Sequence, residues 1–278
     1  MASLGQSQAS DAPLTLPGRL LASLRAHSDQ LLVLVLLFAI WQALSFWLTV
    51  YWVGSPLGVV VRLYDGVVNG AILMHAGFTM AEAIIGFIIG ATPAVALPFL
   101  LRRLPIATAI LDPFMVGGYG APKLALAPLF ILWFGIGIES KIALVAITVF
   151  FIVYFSALAG VRALDSKLVQ MAQVAGANER DVARHIVFPG AVPYIFTGFR
   201  IAMPYSIGGA VVAEIISANR GLGYLIQLSA MNFDTTGVFV ALVAVTIIVF
   251  VMNGVVDFAE RRLLHWRPAS DAKAQSSH

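Results

Sequence analysis

Long hydrophobic blocks alternate with polar segments along this 278-residue chain. A helix needs about 20 apolar residues to cross a bilayer, and six blocks come near that length. The predicted membrane spans are residues 31–53, 79–101, 106–134, 141–161, 191–216 and 237–258. Glycine and proline interrupt the third block, and at membrane depth they are tolerated where neighbouring helices or a water-filled cavity satisfy the freed backbone. An even number of spans places both termini on the same side of the membrane.

Two segments between the blocks are predicted to fold as short helices outside the bilayer core. Residues 55–76 are amphipathic and begin at Pro56, a residue that is favourable in the first turn of a helix. Residues 217–236 are too short and too polar at their ends to span, which favours a helix lying at the outer mouth of the protein. The predicted organisation is an N-terminal tail over 1–29, a transmembrane domain over 30–265 and a C-terminal tail over 266–278.

Lysine and arginine predict the orientation, because loops that stay in the cytoplasm carry an excess of both. With the N-terminus inside, twelve of these residues fall in inner segments and three in outer segments. The inner ones are Arg19, Arg25, Arg102, Arg103, Arg162, Lys167, Arg180, Arg184, Arg261, Arg262, Arg267 and Lys273. The outer ones are Arg62, Lys141 and Arg220. We therefore predict a multi-pass protein of the cell inner (plasma) membrane with both termini in the cytoplasm.

The composition excludes several classes of protein. Hydrophobic residues make up 60% of the chain and charged residues 11%, and the mean hydropathy is +0.91. Soluble domains are about 45–50% apolar and about 25% charged, so the chain is predicted to reside in the lipid bilayer. The absence of cysteine rules out disulfides and thiolate metal sites. The low net charge of +3 and five scattered histidines give no reason to expect a nucleic-acid partner, a metal or a catalytic residue.

The most polar internal segment lies between the fourth and fifth predicted spans and is called the polar loop (residues 162–189). Its charged side chains would be costly in hydrocarbon, so the loop must lie in water or against a soluble partner. Apolar residues at i, i+3, i+4 and i+7 spacing predict a first short helix. These residues are Leu168, Met171, Ala172 and Ala175. Gly176 then permits a turn or the close approach of another helix, and a second helical segment over 178–187 returns the chain to the membrane.

The spacing within DSKLVQMAQVAGANERDVARHIVFP (165–189) resembles the EAA loop of ATP-binding-cassette (ABC) importer permeases. That pattern is Glu-Ala-Ala, then glycine four residues later, then a hydrophobic residue and proline. This chain keeps the register throughout, with Gln170 and Met171 in place of the usual Glu and Ala. The resemblance implies contact with an ABC ATPase subunit through Gln170, Met171, Ala172, Gly176, Ala177, Ile186 and Pro189. The alternative is an ordinary amphipathic connecting loop.

The resemblance extends over residues 55–266. The segments PKLALAPLFILWFGIG (122–137), VVAEII (211–216) and GLGYLI (221–226) are similar to permeases of nitrate, taurine and aliphatic-sulfonate importers. It implies an all-α integral membrane protein with about six transmembrane helices and the type I ABC importer permease (MetI-like) fold. It also implies a permease homodimer with two cytoplasmic ATPase subunits and an extracytoplasmic substrate-binding protein. ATP and Mg²⁺ would bind to the ATPase, because this chain has no Walker A pattern.

Ionisable residues at membrane depth are candidates for function by default. Lys123 lies beside Pro122 in the interrupted third block, and Glu214 and Arg220 flank the outer end of the fifth span. A path for small anions could use Lys123 or Arg220, because a cation offsets the desolvation of a sulfonate or carboxylate. The alternative is an ion pair between helices, for instance Glu214 with Arg220, or Lys123 across the bundle.

The sequence therefore predicts the transmembrane permease subunit of an ATP-driven ABC importer for a small solute, such as a sulfonate, taurine or nitrate. In this prediction the chain forms the translocation path and couples to a separate ATPase through residues 165–189. An ion-gradient-driven secondary transporter is the alternative, but that class typically shows repeated halves and carboxylates near the midplane. Neither feature is evident in the sequence. A membrane-embedded enzyme would need a metal motif or a nucleophile site, which the sequence lacks.

Overall fold

The structure, a computed structural model, describes residues 16–264, and every regular element in that range is helical. The helices are α1 (Leu16–Trp47), α2 (Val50–Val53), α3 (Pro56–Val68), α4 (Ala71–Leu101), α5 (Pro105–Gly120), α6 (Ala127–Phe134), α7 (Ile138–Arg162), α8 (Ser166–Val174), α9 (Glu179–Val182), α10 (Phe188–Ser217), α11 (Leu222–Met231) and α12 (Thr235–Leu263). A 3₁₀ turn, Lys123–Leu126, precedes α6, and a π-helical turn, Ala183–Val187, joins α9 to α10. The prediction of an all-α membrane protein is confirmed.

Within residues 16–264, four helical runs are long and apolar enough to cross a bilayer. They are α4, α7, the continuous run from α9 through α10, and α12, and they match the second, fourth, fifth and sixth predicted spans. Their ends extend further than predicted. α4 begins at Ala71 rather than at residue 79, because Gly70 with a φ of 79° allows the helix to start directly after α3.

The first predicted span is shorter at its outer end than the sequence suggested. The helix begins at Leu16, inside the predicted N-terminal tail, and ends at Trp47, about six residues before the predicted end of the span. Thr49, with a φ of 70°, separates it from α2. The predicted number of six spans is therefore approximate. Residues 1–15 of the N-terminal tail and the C-terminal tail over 266–278 lie outside the described residues.

The third predicted span is broken rather than straight. The run from α5 bends by 86° into the helix that begins at Lys123, because Pro122 disfavours a helical conformation in the residue before it and lacks an N–H. The Lys123 ammonium donates to the carbonyls of Tyr119 and Ala121, which satisfies the C-terminal carbonyls of α5. No residue of α5 is buried, and a cavity of about 910 Å³ lies between α5 and helices α4 and α7. Counting the bent pair as one crossing gives five spans in the described residues.

The core of the bundle lies where α7 packs against α4 on one side and α10 on the other. Its fully buried side chains on α7 include Leu144, Val145, Val149 and Val153. Small residues allow these helices to approach closely. A Cβ at Gly90 of α4, for example, would overlap the backbone carbonyl of Ala146 on α7.

Gly90→Ala is therefore expected to destabilise the fold. Because the overlapping atoms belong to the backbone of α7, the helices must move apart, and overpacking of this kind costs about 2 kcal/mol. Gly117→Ala is the matched control, since a Cβ at Gly117 would meet nothing within 4 Å. Thermal unfolding of both variants in detergent measures the difference, and equal midpoints would contradict the close packing of α4 on α7.

Polar contacts mark the two ends of the bundle. At one end, Arg102 pairs with Glu179 of the polar loop at 2.9 Å. At the opposite end, Arg62 of α3 pairs with Asp234 before α12 at 2.6 Å. We call these the inner and outer ends, following the orientation that the lysine and arginine bias predicts. The polar loop lies at the same end as the turn between α4 and α5, in agreement with the predicted topology.

Candidate functional site

The polar loop folds as two helices joined by a tight turn at Gly176. The first helix, α8, is capped by the Asp165 side chain, which accepts a backbone N–H at 2.8 Å. At its other end, Gly176 has a φ of 92° and donates its N–H to the carbonyl of Gln173, while the N–H of Ala177 donates to Ala172. These two bonds form a Schellman motif, whose left-handed position favours glycine. Gly176 is therefore the elbow of the polar loop.

The second helix of the polar loop is the inner tip of a much longer helix. The Asn178 side chain accepts the N–H groups of Arg180 and Asp181, and Asp181 accepts the N–H of Asn178 in return, which forms a capping box. From Glu179 the helix continues for 39 residues to Ser217. At about 1.5 Å per residue this length reaches from the polar loop to the outer end of the bundle.

The face of α8 that points away from the bundle is apolar. The exposed fraction is 51% for Leu168, 69% for Met171 and 90% for Val174. Val182 and Val187 of the second helix are fully buried, so that helix, and not α8, attaches the polar loop to the bundle. Contiguous exposed apolar side chains of this kind mark a surface that a partner covers.

The structure distributes the predicted ATPase-contact residues over both helices. Three are exposed, Gln170, Met171 and Gly176, and four are half-buried, Ala172, Ala177, Ile186 and Pro189. Ile186 and Pro189 lie in the second helix near the bundle, where they position the polar loop. The sequence pattern placed Ala175 on the apolar face and missed Val174, although its spacing of three from Met171 was a visible signal.

Glu179 joins the polar loop to the turn between α4 and α5. Its Oε2 lies 2.9 Å from Arg102 Nη2 and 3.9 Å from Arg103 Nε, and its Oε1 accepts the side-chain amide of Gln173 at 2.8 Å. Beneath α8, Arg102, Gln170 and Gln173 help to line a cavity of about 360 Å³. Sequence analysis did not find this contact, because its partners are 77 residues apart.

A second group of polar residues lies near the outer end and holds the start of α11. The backbone N–H groups of residues 221–223 donate in turn to His75 Nδ1 at 3.0 Å, Thr79 Oγ1 at 2.9 Å and Glu214 Oε2 at 2.7 Å. The Thr79 hydroxyl also donates to Glu214 Oε1 at 2.7 Å. Because His75 and Thr79 belong to α4 and Glu214 to α10, these bonds fasten α11 to both helices. We call this set the outer polar cluster.

Two further ionisable side chains are buried beside the outer polar cluster. Glu82 and Lys141 lie close enough to Glu214 to interact with it electrostatically. The Lys141 ammonium donates to the carbonyls of Ile136 and Gly137 at 3.0 and 2.9 Å. Glu82 Oε2 has no hydrogen-bond partner among residues 16–264. No local pattern in the sequence indicates that these groups converge.

The three residues predicted to line a substrate path have different surroundings in the structure. Glu214 is fully buried within the outer polar cluster, and the described residues show no ion pair between it and Arg220. The Arg220 guanidinium instead lies over the ring of Phe78 at 5.1 Å. Lys123 borders a largely apolar cavity of about 440 Å³, but its ammonium already donates to backbone carbonyls. In this conformation the residues do not share one surface.

Comparison with known proteins identifies a family for most of the chain. The family described as "Binding-protein-dependent transport system inner membrane component" matches residues 86–265. The putative aliphatic sulfonates transport permease protein SsuC of Escherichia coli (strain K12) is 34% identical over 84% of this chain and 90% of its own length. The taurine transport system permease protein TauC of the same strain is 31% identical over 79% and 86%. The riboflavin transport system permease protein RibX of Chloroflexus aurantiacus is 31% identical over 84% and 88%.

Solved structures share the fold at low sequence identity. An inward-facing conformation of the MetNI methionine ABC transporter aligns with a TM-score of 0.58 and 17% identity, covering 70% of this chain and 94% of that chain. A crystal structure of an amino acid ABC transporter with histidines aligns with a TM-score of 0.59 and 16% identity, covering 72% and 97%. The helical arrangement is therefore that of ABC transporter membrane subunits, as the sequence predicted.

Proposed function

This chain belongs to the ABC importer permeases, the family of binding-protein-dependent transport system inner membrane components, and we propose that it couples to its ATPase through the polar loop. In this proposal two copies of the chain form the translocation path, two cytoplasmic ATPase subunits bind ATP and Mg²⁺, and an extracytoplasmic binding protein delivers the solute. The chain itself performs no chemistry.

The observation that carries the proposal is the exposed apolar row on α8. Leu168, Met171 and Val174 point away from the bundle on a helix that ends at a glycine elbow. Leaving such a row in water is unfavourable, so a soluble partner is expected to cover it. The EAA-like register of the same segment indicates that this partner is the ATPase.

The proposed mechanism follows from how the polar loop is attached. ATP binding draws the two ATPase subunits together, and their movement displaces α8. The elbow at Gly176 and the 39-residue helix that follows carry the displacement toward the outer end. The path then changes from inward-facing to outward-facing and receives solute from the docked binding protein.

Charged substitutions on the row are expected to release the ATPase. Met171→Asp with Val174→Asp should reduce the ATPase that co-purifies with the chain by about tenfold or more, because each change removes apolar burial worth about 1.5 kcal/mol or more at the contact. Met171→Leu with Val174→Ile is the matched control, since it keeps both side chains apolar. Equal recovery with both variants of the ATPase that co-purifies with the wild-type chain would contradict the proposed docking surface.

We further propose that the solute is a small anion or carries an anionic group, as do a sulfonate, taurine or nitrate. The support is that two relatives, SsuC and TauC, are named as permeases for aliphatic sulfonates and for taurine. Because the Lys123 ammonium is already bonded to backbone carbonyls, the proposal assigns the choice of solute mainly to the binding protein.

A competition assay tests the solute class. Uptake of labelled taurine by cells expressing the importer is expected to be inhibited by excess alkanesulfonate and not by excess riboflavin. Uptake of riboflavin without uptake of taurine, alkanesulfonate or nitrate would contradict an anionic solute while leaving the permease role intact.

A further inference from the structure

One carboxylate of the polar loop holds both arginines of the turn between α4 and α5. Glu179 lies 2.9 Å from Arg102 and 3.9 Å from Arg103. The same carboxylate accepts the side-chain amide of Gln173 from α8 at 2.8 Å. Glu179 also begins the 39-residue helix that ends at Ser217. It therefore contacts or belongs to three elements at once: α8, the long helix and the α4–α5 turn.

The helix that follows this turn, α5, has space beside it in which to change position. No residue of α5 is buried, and the cavity of about 910 Å³ lies between it and helices α4 and α7. α5 itself takes part in one ion pair among residues 16–264, between Asp112 and Arg162. This pair is long at 3.9 Å and largely exposed. Exposed ion pairs add little to stability, so these contacts are suited to setting the position of α5 rather than to holding the fold together.

We infer that Glu179 is a positioning residue for coupling, which ties the α4–α5 turn to the polar loop so that a displacement of α8 is passed to α5. The inference rests on the proposed function, because the displacement comes from the ATPase. A carboxylate suits the role, since it binds guanidinium groups with defined geometry as well as charge. Gln170 lines the same cavity of about 360 Å³ as Arg102, so a glutamate at residue 170 would place a carboxylate beside the same arginine.

The test measures the position of α5 in the complete complex with its ATPase. The chain has no cysteine, so Ala109→Cys introduces a single reporter on the α5 side of the cavity. The rate of its reaction with a maleimide is compared without nucleotide and with MgATP plus vanadate. Nucleotide is expected to change this rate about fivefold, the lower end of the range for coupled sites. In Glu179→Gln the change is expected to disappear while the ATPase stays bound.

Two further variants separate coupling from general loosening. Gln170→Glu added to Glu179→Gln is expected to restore the nucleotide-dependent change by returning a carboxylate to Arg102. Glu260→Gln removes one of the two carboxylates that pair with Arg200, away from α8 and α5, and is expected to leave the change intact.

The possible failures point to different errors. A Glu179→Gln variant that keeps the full nucleotide-dependent change overturns the inference. Equal loss in Glu179→Gln and Glu260→Gln, without restoration by Gln170→Glu, also overturns it, because the cause is then general loosening. A parent chain that binds no ATPase instead contradicts the proposed function. A parent complex that binds the ATPase but in which nucleotide leaves the reaction rate of Ala109→Cys unchanged overturns the inference, because no displacement then reaches α5.

Discussion

Replacing Gly176 by leucine is expected to lower transport about tenfold or more, because a non-glycine residue held in an unfavourable backbone region costs about 1–3 kcal/mol. Gly176 has a φ of 92°, which L side chains rarely adopt. A Cβ there would meet nothing within 4 Å, so leucine strains the backbone without a clash. The strain is relieved when the residue leaves the left-handed region, which opens the Schellman turn and changes the direction of α8. The chain remains inserted, because the buried part of the polar loop is not altered.

Uptake per ATP hydrolysed, measured on the reconstituted complex with the solute identified by competition, checks this expectation. Gly176→Asn is the matched control, because asparagine adopts left-handed conformations more readily than other non-glycine residues. It should keep most of the transport activity. A leucine variant that transports at the wild-type rate would contradict the role assigned to the polar loop. Equal loss in both variants would show that backbone strain is not the cause.

The membrane spans were predictable because a helix in lipid must be apolar along most of its length. A single sequence is enough to show that pattern. The positions of the helix ends were not. α4 begins eight residues before the predicted span, because Gly70 starts the helix directly after α3. The glycines and prolines around Pro122 predicted an interruption of the third span. The bend of 86° depends also on Lys123 folding back onto α5, which no local pattern specifies.

The candidate site shows the same division between local and distant contacts. The glycine elbow and most of the apolar row on α8 are local features, so the register of the polar loop located Gly176, Leu168 and Met171, although it missed Val174. The contacts of Glu179 with Arg102 and of Thr79 with Glu214 join residues 77 and 135 positions apart. Predicting them requires knowing which faces of α4 and α10 meet. The sequence predicts a place for Glu214 near a substrate path, and the structure adds its bonds to α4 and to the start of α11, which no local pattern predicts.

Glu214→Leu is expected to release the start of α11 from the bundle. Glu214 is fully buried and accepts both the Thr79 hydroxyl and the Gly223 N–H at 2.7 Å. Leucine fills a similar volume but leaves the Gly223 N–H unpaired, whereas the Thr79 hydroxyl can still donate to the carbonyl of His75 at 3.3 Å. A buried unpaired donor costs about 1–3 kcal/mol, so we expect a loss of about 2 kcal/mol in the free energy of unfolding, measured by thermal unfolding in detergent.

A site-specific measurement separates local release from general instability. Leu222, at the start of α11, is fully buried, so Leu222→Cys in this cysteine-free chain should react slowly with a maleimide. When Glu214→Leu is combined with Leu222→Cys, the cysteine is expected to react at temperatures well below global unfolding. Ser206→Ala is the control, because this buried side chain also belongs to α10 but its hydroxyl donates to the carbonyl of Met203 within the same helix. If Glu214→Leu leaves Leu222→Cys protected, the outer polar cluster does not hold α11, and its buried carboxyl groups must serve another purpose.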